Sequence, residues 1–319
     1  MVVSNTKTKT DPMKKILIAT EKPFAKAAVE GIRKTVEDAG FEILLLENYS
    51  QKVELMKAVA DADAIIIRSD IIDSEIFEAA KKLKIVVRAG AGYDNIDLAA
   101  ASAKGVIAMN TPGQNSNAVA ELAMGMMVFA ARNNFNGSSG TELKGKNLGL
   151  HAFGYVGKAV ATIARGFGME VFAFDPFVNK KTIETEGIHF IDDLQDMYKT
   201  CQYVSLHMPA TAQTKKSINF DLLSLMPKGA TLINTARKEV IDEEGLLKMF
   251  AERADFKYIS DVEPDCKGLI AEKFSGRFYF TPKKIGAQTS EANNNAGLAA
   301  ARQIVNFFVK NETTFQINK

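Results

Sequence analysis

The sequence predicts an α/β protein made of two doubly wound parallel-sheet domains. Three observations carry that expectation: strand-length runs that are apolar throughout, helical patterns placed regularly between them, and one glycine loop set between a strand and a helix. Continuous apolarity belongs to strands buried on both faces, and such strands run parallel through crossover helices. In the first domain the strands fall at 15–19, 41–46, 64–68 and 85–88, with helical patterns over 25–39 and 74–83. The Asn110-Thr111-Pro112-Gly113 stretch marks a boundary, after which Asn115-Ser116-Asn117 can cap an apolar helix running to about Arg132. A loop-like stretch at 133–140 (NNFNGSSG) follows. The second alternation places strands at 147–151, 170–174, 203–206, 230–234, 257–260 and 278–281, with a helix from Gly157 and an alanine-rich helix over 290–309.

Composition narrows the function classes. The 319 residues are 46% hydrophobic, enough to fill two ordinary cores. Forty basic and 38 acidic residues leave a formal charge of +2, so neither nucleic acid nor an anionic membrane is expected as partner. Cys201 and Cys266 form no disulfide framework and no metal-ligand spacing; a reduced, cytoplasmic setting and no metal site are expected. The apolar stretch 118–131 is interrupted by Glu121 and falls short of the roughly 20 residues a membrane span requires. Residues 1–12 are polar, rich in Thr and Lys, and lack a signal-type apolar core, which predicts a disordered tail.

The strongest single motif is Ala152-Phe153-Gly154-Tyr155-Val156-Gly157, which is G-x-G-x-x-G with alanine at the first position. Gly154 lets the backbone approach a pyrophosphate, Gly157 lets the helix pack on the strand, and the amides of Tyr155 and Val156 meet the negative charge at the helix N-terminus. Asp175 ends the next strand, eighteen residues after Gly157. An acid there accepts hydrogen bonds from the ribose hydroxyls and repels a 2′-phosphate, so the expected cofactor is NAD rather than NADP.

Six blocks in fixed order resemble the D-2-hydroxyacid dehydrogenase family, in particular its phosphoglycerate-oxidising branch. They are RAGAGYDNID at 88–97, the glycine loop with Asp175, YVSLHMP at 203–209, NTARKEVID at 234–242, DVEP at 261–264 and TPKKIGAQTSEA at 281–292. The resemblance implies a flavodoxin-like substrate-binding domain (13–111 with 287–319) and a Rossmann NAD domain (112–286), with the active site at the carboxyl ends of both sheets. It implies NAD-dependent oxidation of D-3-phosphoglycerate to 3-phosphohydroxypyruvate, in a homodimer, with the helix at 118–131 either a dimer face or internal core. It also implies cofactor contacts from His207, Thr235, Ala236, Asp261, Gly286 and Ala287, with Asp261 on the nicotinamide carboxamide. Longer relatives carry serine-binding regulatory domains. The chain stops soon after its last helical pattern, so serine inhibition through such a module is not expected.

The chemistry maps onto few residues. Arg237 follows an apolar strand and matches the family's catalytic arginine; a guanidinium can hold a carboxylate bidentately while polarising the neighbouring carbonyl. Glu263 matches the catalytic glutamate, in a contracted segment. The family's proton carrier is a histidine, but none of this chain's three occupies that place. His151 reads as a packed strand residue, His189 as surface and His207 as cofactor-side. Anchoring on Ile285-Gly286-Ala287 places Lys284 at the histidine position, beside Lys283 as an apparent insertion, and a lysine-bearing subgroup of short relatives exists. A neutral lysine can take a proton only if its ordinary value near 10.4 falls through desolvation or a neighbouring cation such as Lys283 or Arg237. Arg68 and Arg88 end apolar strands of the first domain and suit a phosphate, while the glycines of RAGAG are expected to leave the amides of Gly90 and Ala91 free for the substrate carboxylate. Two other readings stay open: a dehydrogenase for a different 2-hydroxy acid, and an NAD-sensing interaction protein, against which the retention of Arg237 and Glu263 argues.

Overall fold

Segments that are apolar on both faces close into two separate parallel sheets in the computed structural model, which describes residues 13–319. The tail expected over 1–12 lies outside the described residues. The first unit comprises the residues up to Asn115 with Ser290–Lys319, and the second Ser116–Thr289. These boundaries fall four and three residues later than the sequence suggested (115 against 111, 289 against 286). The Thr111 amide bonds the Gly90 carbonyl and keeps the first crossing segment with the first sheet, while the second ends where the last long helix begins at Ser290.

In the first unit, β1 (Lys15–Thr20), α1 (Lys26–Glu37), β2 (Glu42–Glu47), α2 (Lys52–Val59), β3 (Ala64–Ile67), α3 (Ser74–Ala79), β4 (Ile85–Arg88), α4 (Leu98–Ala103) and β5 (Ile107–Asn110) follow in order. The sheet runs β2-β1-β3-β4-β5, all parallel, so strand order reverses between β1 and β3. Every residue of β3 is buried, as two covered faces demand. The sequence reading passed over α2, α4 and β5. It also placed the second strand one residue early and carried the third helix to residue 83, whereas Ala80 leaves helical geometry at φ −82°, ψ 77°.

The second unit comprises α5 (Ser116–Ala131), β6 (Asn147–His151), α6 (Tyr155–Gly166), β7 (Glu170–Phe174), α7 (Lys180–Thr185), β8 (His189–Phe190), α8 (Leu194–Thr200), β9 (Tyr203–Leu206), α9 (Phe220–Ser224), β10 (Thr231–Asn234), α10 (Glu243–Glu252), β11 (Lys257–Ser260), α11 (Lys267–Lys273) and β12 (Phe278–Phe280). Its order, β12-β11-β10-β9-β6-β7-β8, reverses between β6 and β9, which puts the loops after those two strands at the crevice where ligands bind in such sheets. The apolar stripe of α5 is mostly core: Ala120, Ala123, Met124, Met126, Met127, Ala130 and Ala131 are buried within this unit.

The chain returns to the first unit through α12 (Ser290–Lys310), which packs on α1 through small residues. A Cβ at Gly297 would lie 2.9 Å from Ile32 Cδ1, and one at Gly31 would lie 2.8 Å from Leu298 Cδ2, so both glycines let the helices approach. The last residues pair with β5, the Ile317 amide donating to the Ala108 carbonyl at 2.9 Å, and this covers an otherwise open sheet edge. Among the described residues no helix is long and apolar enough to cross a membrane.

Candidate functional site

The glycine loop is built at the end of β6. Ala152 sits at φ +85°, in the left-handed region where glycine is usual, which costs a non-glycine residue about 1–2 kcal/mol. The tight turn therefore forms despite the alanine. A Cβ on Gly157 would come within 2.5 Å of the Ala152 carbonyl, so that position needs glycine for close packing. A Cβ on Gly154 would meet nothing within 4 Å: there glycine leaves open space in front of the first turn of α6, whose N-cap supplies no side-chain acceptor. Asp175 is fixed beside the loop by the amides of Phe153 and Phe177, both at 2.8 Å. At the ends of β9 and β10, His207 Nδ1 and Nε2 and Thr235 Oγ1 are buried with no hydrogen-bond partner among the described residues. Open space, exposed helix amides, a fixed carboxylate and orphaned buried polar atoms at the switch point together fit a dinucleotide.

Past β10 the chain turns on a buried amide. Asn234 Oδ1 accepts from the Ala236 amide at 2.9 Å, and its Nδ2 donates to the Arg237 carbonyl at 3.0 Å and to the Tyr258 hydroxyl at 3.2 Å. The turn presents the Ala236 carbonyl to two cations, Arg237 Nη1 at 3.0 Å and Lys284 Nζ at 3.1 Å. The expected clamp and the expected proton carrier thus meet on one oxygen. The Glu263 carboxylate pairs with Lys267, four residues on. Asp261 is wholly buried, and its carboxylate accepts from Thr281 Oγ1, the Ile285 amide and the Gly286 amide. Sequence reasoning gave Asp261 a cofactor contact and missed these bonds, which join residues 20 to 25 positions apart.

The first unit carries the two arginines at the carboxyl edge of its sheet. Arg68 is largely engaged: Nη1 donates to the carbonyls of Lys22 and Pro23 at 3.1 Å, Nη2 to Asn293 Oδ1 at 2.7 Å, and the guanidinium lies 5.2 Å from the Phe24 ring centroid. Buried Asp70 ties its neighbourhood together, accepting from the amides of Arg68 and Glu21 and from the Tyr49 hydroxyl, and burial pushes that phenol's pKa up. Arg88 Nε donates to the Arg68 carbonyl at 3.0 Å, and its guanidinium passes over Gly90, where a Cβ would fall 1.4 Å from Nη1. One expectation is corrected here. The Gly90 amide is not free, because it donates to the Arg88 carbonyl at 2.9 Å in a turn that no spacing rule reveals. The Ala91 carbonyl is held by Asn110 Nδ2 at 2.6 Å.

Comparison with known proteins follows the same lines. Residues 117–268 match the NAD-binding domain of the D-isomer specific 2-hydroxyacid dehydrogenases. The chain is 36% identical to a D-3-phosphoglycerate dehydrogenase of Methanocaldococcus jannaschii, over 79% of this chain and 51% of that protein. It is 35% identical to a hydroxypyruvate reductase of Thermotoga maritima, over 82% of this chain and 90% of that one. The crystal structure of NAD+-bound 3-phosphoglycerate dehydrogenase from Entamoeba histolytica superposes with a TM-score of 0.87 at 48% identity, covering 96% of this chain and 99% of that one. The chain spans about half the length of the curated phosphoglycerate dehydrogenases it matches.

The two buried histidines carry a prediction. Burial pushes His207 down to about 3, and burial together with neighbouring His207 does the same to His151, whose Nδ1 lies 3.3 Å from the Tyr198 hydroxyl. Unfolded, both titrate near 6.5, so their folded-state contribution is fully present above that pH and is lost as pH falls toward 3. Denaturant unfolding at pH 7, 6 and 5 should show stability dropping, with about two more protons bound by the unfolded chain near pH 5. A transition midpoint that stays constant across this range contradicts the assignment.

Proposed function

The chain belongs to the D-isomer specific 2-hydroxyacid dehydrogenase family, and from that membership we propose that it oxidises D-3-phosphoglycerate to 3-phosphohydroxypyruvate with NAD. The observation that carries the mechanism is the convergence of Arg237 and Lys284 on the Ala236 carbonyl. When bound, NAD supplies the nicotinamide ring that takes the hydride leaving C2. The glycine loop, with the amides of Tyr155 and Val156, holds its pyrophosphate, Asp175 its ribose, and His207, Thr235, Ala236, Gly286 and Ala287 the remainder. Asp175 also repels a 2′-phosphate. Arg237 grips the substrate carboxylate and steadies the oxygen that becomes the carbonyl. Lys284 takes the hydroxyl proton as the C2–H electron pair departs, and returns it in the reverse direction. Glu263, at the position of the family's catalytic glutamate, assists Lys284; its carboxylate also pairs with Lys267.

Phosphate recognition falls to Arg68 and Arg88, which stand at the carboxyl ends of β3 and β4. In the first unit the Ala91 amide is offered to the substrate carboxylate, while Gly90 keeps space for the Arg88 guanidinium. The same reading makes the protein a cytoplasmic homodimer, on the family resemblance alone. A second reading, reduction of unphosphorylated hydroxypyruvate, is favoured by the match along 90% of the Thermotoga reductase.

Two measurements test the proposal. Oxidation needs a neutral amine, so kcat in that direction should rise with pH. Lys284→Ala should lower kcat about 100-fold and flatten the profile. A near-normal kcat in that variant rejects the lysine. Arg88→Ala should cut kcat/KM for 3-phosphohydroxypyruvate by about 10- to 100-fold while leaving hydroxypyruvate almost unaffected, as expected for a lost charge-assisted contact. Equal losses on both substrates would favour the reductase reading.

A further inference from the structure

The segment that carries Lys284 is fastened to one carboxylate. Asp261 follows β11 and is fully buried. Its Oδ1 accepts from Thr281 Oγ1 at 2.8 Å and the Ile285 amide at 2.9 Å, and its Oδ2 accepts from the Gly286 amide at 2.8 Å. The three bonds bracket Lys284 on both sides. Glycine at 286 is part of the fastening, since a Cβ there would sit 2.9 Å from Oδ2. On the other side, the Asp261 amide donates to the Asn234 carbonyl at 2.9 Å, at the start of the turn whose Ala236 carbonyl receives Lys284 Nζ. One residue therefore links the lysine's loop to the lysine's acceptor. A buried carboxylate is tolerated only when well provided with donors, and these all come from the loop.

We propose that Asp261 is a positioning residue for proton transfer: by clamping residues 281–286 it holds the Lys284 ammonium beside the Ala236 carbonyl, where Arg237 also points. The proposal rests on Lys284 as the acid/base and adds to the nicotinamide contact that the resemblance implied for Asp261. Replacing the carboxylate by an amide turns one acceptor into a donor facing N–H or O–H groups, so the clamp opens without loss of volume.

The test uses the full chain and 3-phosphohydroxypyruvate reduction by NADH. Asp261→Asn should lower kcat about tenfold or more and change its pH profile, a loss larger than any fall in NADH affinity read by fluorescence titration. Thr281→Val, which removes one bond and no charge, should shift kcat the same way by about two- to fivefold with NADH binding intact, and it carries the test if the first variant does not fold. In a Lys284→Ala background, Asp261→Asn should cost no more than about a further twofold. Full multiplication of the two losses, a loss of NADH affinity with kcat unchanged, or an unaltered kcat in Thr281→Val overturns the positioning role. Near-normal kcat in Lys284→Ala alone overturns the lysine reading and this proposal with it, so the two failures are told apart.

Discussion

Two cationic side chains donate to one carbonyl oxygen, that of Ala236, and most of what is particular to this chain depends on how that oxygen is presented. The end of β10 cannot turn freely, because the Asn234 amide spends its oxygen on the Ala236 amide and its nitrogen on the Arg237 carbonyl and the Tyr258 hydroxyl. Ser260 Oγ adds a bond to the Asn234 carbonyl from the neighbouring strand. A buried amide satisfied in this way leaves the turn one geometry, and a guanidinium launched from a fixed turn loses less freedom when it grips a carboxylate.

The doubly wound topology explains why such turns collect where they do. In the second sheet the order reverses between β6 and β9, and the glycine loop and His207 lie just past those strands. In the first sheet it reverses between β1 and β3, and Glu21, Arg68 and Asp70 occupy the corresponding ends. Carboxyl-end loops in such sheets carry the variable chemistry, while the strands supply rigid posts. The left-handed Ala152 shows what the loop concedes: local strain persists at a site where surrounding packing over-determines the backbone.

Much of this was legible in the amino-acid sequence, for identifiable reasons. A strand buried on both faces such as β3 (AIII) announces itself by unbroken apolarity, and β6, β7, β9 and β11 fall at the expected residues although each carries one or more polar residues or glycine. Strand β5 (IAMN) ends in asparagine, and α2 has a weakly amphipathic pattern, so tertiary context rather than local signal decides both. The place of Arg237 just past β10 was readable from NTARK. The Asp261 clamp was not, because hydrogen bonds spanning 20 or more residues leave no periodic trace. The pairing of Glu263 with Lys267 was readable in principle, since the two stand at i and i+4 where a helix begins.

In the proposed mechanism Arg237 and Lys284 work as one unit on a single substrate. This is tested most directly by kcat for 3-phosphohydroxypyruvate reduction in Arg237→Gln, Lys284→Ala and the double variant. Residues that act together in one transition state are grossly non-additive, so the double variant should be about as slow as the slower single one. Losses that multiply in full would mean that the two groups act independently, and the account built on their shared carbonyl would fall.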